Sequence, residues 1–343
     1  MEEIYVEREL EKEIRKYLHK NEIIAVVGAR QCGKTTLLKH IYTGLKKAIF
    51  MSFDEMEKLE LFDNDINSFV ELYVKGNEYL FIDEFQYSKE GGKRLKYIFD
   101  NYKIKIIISG SSISELSIHS IKFLVGRIFV FSLYPFSFKE FLAYKNNKLL
   151  MLLNKKKELS SEIISKINGL YTEFVLYGGY PRVVLANNND EKILVLKNIV
   201  SVYLLKEIKE ILGLKEDYKL SKLMRALSLQ IGNLINYTEL SSLSGFDYKE
   251  LISFINILRK TFVIDECRPF YTNKRVEIAK NPKVFFIDSG FRNAVIDNFQ
   301  KINQRVDKGS LHENFVYSEF VKNGLVVKYW RTKSKAEIDF IIE

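Results

Sequence analysis

The residues Gly28-Ala29-Arg30-Gln31-Cys32-Gly33-Lys34-Thr35 read G-x-x-x-x-G-K-T. The apolar segment Ile23–Val27 precedes them, and Thr36-Leu37-Leu38 opens a helical pattern after them. A strand, a glycine-rich loop and a helix start are what a phosphate chain needs. Glycines let the backbone wrap the anion, and unpaired N–H groups at the helix start point at it. The spacing assigns phosphate contacts to Gly28, Ala29, Arg30, Gln31, Cys32, Gly33, Lys34, Thr35 and Thr36. Lys34 is expected on the β- and γ-phosphates of ATP, and the Thr35 hydroxyl on Mg²⁺.

A second chemical element is Tyr79-Leu80-Phe81-Ile82-Asp83-Glu84, four apolar residues running into two carboxylates. In an open α/β sheet the C-terminal end of a strand is the ligand edge. Asp83 is expected to orient the Mg²⁺ shell, and Glu84 to polarise the attacking water. A further strand, Ile104–Ser109, is expected between the two motif strands in space. It ends at Ser109-Gly110-Ser111-Ser112, which puts Ser111, or Ser109, beside the γ-phosphate as a sensor.

The elements that must position these groups follow from hydrophobic patterning. Ile23–Val27, Ala48–Phe53, Tyr79–Asp83, Ile104–Ser109 and Ile128–Ser132 are continuous apolar runs, the mark of parallel strands covered on both faces. Helical patterns such as Thr35–Leu45 and Glu90–Tyr102 alternate with them, so a five-stranded parallel sheet of the α/β class is expected. From Phe138 to Gly213 helical patterns dominate. Between Tyr218 and Asp288 three helices precede two strands, the order of a winged helix-turn-helix. Its third helix is read at Tyr248–Lys260, with Asp247 and Glu250 as the cap pair. Its strands are read at Phe262–Cys267 and Val284–Asp288, with a polar wing, Tyr271–Lys280, between them. Leu311–Glu343 reads as a helix and a strand pair.

The 343 residues have no apolar run near the roughly 18 a membrane helix needs. The charged N-terminus lacks a signal-peptide core, so a soluble cytoplasmic protein is expected. Two cysteines, Cys32 and Cys267, and four scattered histidines exclude a disulfide framework and a four-ligand zinc site. The net charge of +9 is uneven: 23 Lys+Arg face 21 Asp+Glu in residues 1–150, and 30 face 23 in residues 151–343. That excess points to double-stranded DNA or a protein as partner. The third helix carries Lys249, Arg259 and Lys260 against Asp247 and Glu250. The wing carries Lys274, Arg275, Lys280 and Lys283 against Glu277.

The chain resembles AAA+ ATPases. More closely, it resembles a large prokaryotic family joining such a core to a winged helix and a restriction-endonuclease-like tail. The resemblance rests on GARQCGKTTLL at 28–38, YLFIDEFQ at 79–86, ISGSS at 108–112, GRIFVFSLYPFSFKEFL at 126–142, YGGYPRVV at 177–184, NPKVFFIDSG at 281–290 and the stretches from GSLHENFV and YWRTKSKAEIDF. It implies a P-loop NTPase core over 1–137, a helical lid over 138–213, a winged helix over 214–290 and a partial tail over 291–343. It gives Arg127 the role of an arginine finger, acting between subunits of a homo-oligomer. Gly179-Tyr180-Pro181 resembles the Gly-x-Pro element of STAND-type ATPases, which places Pro181 against the nucleotide. Glu313 and Asp339 match two acidic positions of a PD-(D/E)xK nuclease, but an E-x-K does not follow within these residues, and no nuclease activity is assigned. Two functional readings stand: an Mg²⁺-dependent ATPase that moves a lid and winged helix, or a DNA-binding regulatory module switched by ATP with negligible turnover.

Overall fold

The five expected segments form β1 (Ile23–Gly28), β2 (Ala48–Ser52), β3 (Tyr79–Asp83), β4 (Lys105–Gly110) and β5 (Ile128–Leu133). They pair in the order β2-β3-β4-β1-β5, all parallel. β4 thus lies between the two motif strands, as expected. The structure, a computed structural model, describes residues 5–110, 123–155, 158–202, 217–332, 334 and 336–342. Two compact units meet in sequence between Tyr134 and Pro135.

In the first unit every residue of β1 and β4 is buried. Helix α1 (Glu9–Tyr17) and helix α2 (Lys34–Thr43) flank the sheet. Leu37, Leu38 and Ile41 of α2 pack in one cluster with Ile24 and Val26 of β1, Phe81 of β3 and Ile107 of β4. Burying each such side chain is worth about 1.5–3 kcal/mol, so this cluster holds α2 and its leading loop on the sheet. The register Ala25↔Ile108 and Ile82↔Ile108 brings the ends of β1, β3 and β4 to one edge.

The second unit is mostly helical at first, with helices over Phe138–Lys155, Ser161–Tyr177 and Asn189–Val202. The Gly178-Gly179 turn follows the second of these. Gly179 N–H donates to Asp288 at 2.7 Å, and Phe136 N–H donates to Gly179 O at 2.7 Å. A Cβ on Gly178 would strike the Asp288 carboxylate, and one on Gly179 would strike Phe136 O, so only glycine fits either position. Asp288 also caps the helix Ser289–Val295 through Phe291 N–H.

Helices Asp217–Leu229, Tyr237–Ser244 and Tyr248–Lys260 come next, and the last carries the expected Asp247–Glu250 capping box. β6 (Ile264–Pro269) and β7 (Lys283–Phe286) are antiparallel, and Leu234 bridges to Lys283. The expected polar wing instead contains the helix Lys274–Ala279. Glu277 inside it is buried and pairs with Lys274 and Lys328, which gives the segment an anchor that a solvated loop would lack. Helix Lys308–Lys322 leads to β8 (Val327–Arg331) and β9 (Glu337–Ile342). These complete a sheet of order β7-β6-β8-β9. The expected lid, winged helix and tail share one core: Val175, Leu196, Leu223, Leu258, Phe286 and Leu311 lie in a single cluster.

Candidate functional site

The loop after β1 is shaped by two left-handed residues, Gln31 at φ 59° and Gly33 at φ 94°. Such alternation turns successive N–H groups toward one concavity. Gly28 is required for a different reason: a Cβ there would strike Leu133 O of the neighbouring β5. Cys32 Sγ–H donates to the same Leu133 O at 3.4 Å. The Lys34 ammonium donates to Gly28 O at 2.9 Å and Ala29 O at 3.0 Å, so it curls over the loop it follows.

The two motifs meet at the sheet edge. Thr35 Oγ1 donates to Asp83 Oδ2 at 2.7 Å, and Ser109 donates to Asp83 Oδ1. Asp83 and Ser109 are both buried. Thr35 and Asp83 supply hard oxygen donors side by side, which suits Mg²⁺. Glu84 adopts φ 52°, ψ 41°, a left-handed conformation costing about 1–3 kcal/mol for a residue with a side chain. Its carboxylate accepts a hydrogen bond from the Gln86 amide. Arg30 is exposed, and Thr36 lies within the first turn of α2.

Of the other expected residues, Arg127 is not at this edge. Ser111 lies outside the described residues. Arg127 lies at the opposite end of the sheet, where its carbonyl accepts from Ile23 N–H at 2.7 Å. The length of β1, roughly 17 Å at 3.3 Å per residue, separates it from the loop. Its guanidinium bonds Asp100 at 3.1 Å and lies over the Phe99 ring. Pro181 belongs to the second unit, where it opens the helix Pro181–Val184.

The basic wing is corrected. Lys283 is only 3% exposed and pairs with Glu313 at 2.9 Å and with Glu337. Asp339 lies 3.6 Å away. Burial works against the Lys283 charge, but the bonds to Glu337 and Glu313 raise its pKa overall. It is a structural cation that draws the tail acids onto β7, and it is not available to a phosphate backbone. Lys274 is held by Glu277.

Sequence reasoning missed the roles of Gln86 and Arg8. Gln86 stood inside a quoted motif, but its bond to Glu84 depends on the turn after β3. The Arg8 guanidinium donates to Cys32 O at 2.9 Å and to Tyr134 O at 2.6 Å. Only a contact across more than twenty residues reveals it.

Comparisons with known proteins bear on the fold. Residues 20–142 match a family described as an AAA domain. Residues 168–302 and 308–343 match two domains of unknown function, DUF8612 and DUF4143. The first of these spans the expected lid boundary at 213, in keeping with the shared core. An uncharacterized protein of Haemophilus influenzae is 24% identical over 93% of this chain and 79% of its own length. An uncharacterized protein of Methanocaldococcus jannaschii is 26% identical over 97% of this chain and 75% of its own length. The solved structure of a Walker-type ATPase of Pyrococcus abyssi aligns with a TM-score of 0.56 at 16% identity, covering 85% of this chain and 96% of that one. Among the described residues no helix is long and apolar enough to cross a membrane. With its parallel sheet and phosphate loop, the first unit has the P-loop NTPase fold, and its residues 20–142 are similar to an AAA domain.

Proposed function

We propose that the protein is an Mg²⁺-dependent ATPase whose nucleotide state governs binding of a macromolecular partner. The observation that carries this is the 2.7 Å bond between Thr35 and Asp83 at the mouth of a phosphate loop. Residues 28–36 bind the phosphates, and Lys34 offsets their charge. Thr35 and Asp83 would hold Mg²⁺, which would supply positive charge against the phosphates. Ser109 fixes the Asp83 carboxylate. Glu84 accepts the proton of the attacking water while Gln86 orients its carboxylate. Ser111 senses the γ-phosphate, and the resemblance of Gly179-Tyr180-Pro181 to a Gly-x-Pro element motivates Pro181 as a nucleotide contact. Arg127 is too far from its own loop to act there, so it serves the site of a neighbouring subunit. Titration calorimetry with Mg·ATP tests the site. The wild type binds, and Lys34→Ala loses binding while keeping its helical spectrum. Wild-type affinity in that variant would remove the phosphate-loop assignment.

For the partner we favour duplex nucleic acid, read by the third helix of a winged helix. The support is a redistribution of charge. Asp247 and Glu250 are committed to the capping box, and Arg259 pairs with Glu266. Lys249, Ser253, Asn256 and Lys260 form the exposed stripe of that helix. Two cations flanking two hydrogen-bonding side chains suit phosphates and base edges. Binding should weaken with salt, and Lys249→Ala with Lys260→Ala should flatten the log–log slope by about 1.8. No duplex binding at low salt, with or without ATP, would make the second unit a protein-docking module.

A further inference from the structure

The N-terminal segment ahead of α1 reaches the back of the phosphate loop. Arg8 is 5% exposed and is the N-cap residue of α1, where Glu11 N–H donates to its carbonyl. Its backbone is held further by Tyr5, which stacks on His40 of α2 with ring centroids 3.7 Å apart and bonds Glu11. Glu11 in turn takes Arg15 and His40. The Arg8 side chain therefore leaves a rigid base.

Its two ends bind two backbone carbonyls, Cys32 O in the loop and Tyr134 O just past β5. No peptide bond in the described chain is cis. In a trans peptide the carbonyl and the N–H of the next residue point to opposite sides. Pinning Cys32 O outward on Arg8 therefore turns the Gly33 N–H inward, toward the concavity where phosphate oxygens sit. Gly33 sits at a φ of 94° and has no Cβ to restrict the orientation of that peptide. A guanidinium suits the task because its planar fork reaches two acceptors at once.

We infer that Arg8 is a positioning residue for phosphate binding: it orients the Cys32–Gly33 peptide and ties the loop to the end of β5. The inference rests on the phosphate-loop reading above. It separates Arg8 from a contact to base or sugar, because the effect is carried by the phosphate cradle alone.

The test uses two probes on the full chain, ATP and inorganic tripolyphosphate, the second lacking base and sugar. Affinities are measured for wild type, Arg8→Ala and Arg8→Lys, each checked for wild-type far-ultraviolet circular dichroism. Arg8→Ala is expected to weaken both probes in parallel, by about tenfold or more given two charge-assisted hydrogen bonds. Arg8→Lys, which can hold one carbonyl but not both, is expected to fall between. Weaker ATP binding with unchanged tripolyphosphate binding would overturn the inference, because Arg8 would then act on base or sugar. Unchanged affinity for both probes would overturn it equally. If Arg8→Ala does not fold, Arg8→Lys decides by the same criteria. A wild type that binds neither probe removes the phosphate-loop reading itself, whereas a failed Arg8 variant leaves that reading standing.

Discussion

Asp83 is the residue on which the account of the site turns. It is buried, yet its two oxygens are taken by hydroxyls from two other segments, Thr35 and Ser109. A buried carboxylate without such partners is costly, and with them it is fixed in one orientation. Glu84, the next residue, is half-buried and sits on a strained backbone. The two adjacent acids therefore take different tasks. Glu84→Gln is expected to bind Mg·ATP as tightly as wild type, because the proposed role of Glu84 is on the attacking water and not on the phosphates. Its turnover is expected to drop by roughly 10²–10⁴, the usual worth of a general base. Affinity lost in step with rate in a stopped-flow binding assay would place Glu84 in binding. At this scale the motif residues were legible because spacing along one loop or one strand sets them. The bond from Ser109 to Asp83 was half-legible: the strand order was foreseen, but the choice between Ser109 and Ser111 depends on register. Arg8 was not legible, because its partners are backbone carbonyls that carry no sequence signature.

Elements were read well where one force dominates. β1, β3 and β4 are mainly apolar because helices cover both faces, and their limits differ from expectation by at most one residue. The helix Tyr248–Lys260 begins where Asp247 and Glu250 cap it. The region after Lys260 was read less well. β6 starts two residues later than expected, and a helix replaces the wing. There the determinants are long-range: Lys328 reaches Glu277 from β8, and Lys283 gathers acids from a helix and a strand far along the chain. The loop before helix Lys308–Lys322 shows the same dependence. Arg305 first, with Arg292 assisting and burial opposing, holds the Asp307 carboxyl well below the usual carboxylate range. A depressed carboxylate stabilises the fold above its unfolded pKa, about 4, and that contribution fades as pH falls toward the folded value. Asp307→Asn strands two buried guanidinium groups and is expected to cost about 3–5 kcal/mol at neutral pH. Denaturant melts from pH 7 downward should show wild type losing that margin below about pH 4 while the variant changes less. Equal stabilities at pH 7 would show that the cluster contributes nothing.

At the scale of the molecule, the sequence suggested three pieces after the nucleotide core, whereas the chain folds as two units. The cause is visible in particular residues. Asp288 binds Gly179, Lys283 binds Glu313, and Leu311 joins the cluster of Val175 and Leu223, so contacts cross the expected boundaries at 213 and 290. Element order alone cannot reveal such crossings. The charge excess was legible as a total, but its distribution was not, since Lys283 is spent inside the fold. Arg127 belongs to this scale as well. Held by Asp100 at the far end of the sheet, it is expected to serve a second copy of the chain. Mixing Arg127→Ala with Lys34→Ala protein should then restore part of the phosphate release that each lacks alone. No recovery at any ratio, with subunit exchange confirmed, would leave Arg127 a structural residue. The central claim is that the Thr35–Asp83 edge turns over ATP. Steady-state phosphate release by the wild type with Mg·ATP, with and without duplex DNA, tests it most directly. The account predicts sustained release that requires Mg²⁺ and disappears in Lys34→Ala. Tight Mg·ATP binding with no release above the Lys34→Ala background under either condition would contradict it and make the nucleotide a switch alone.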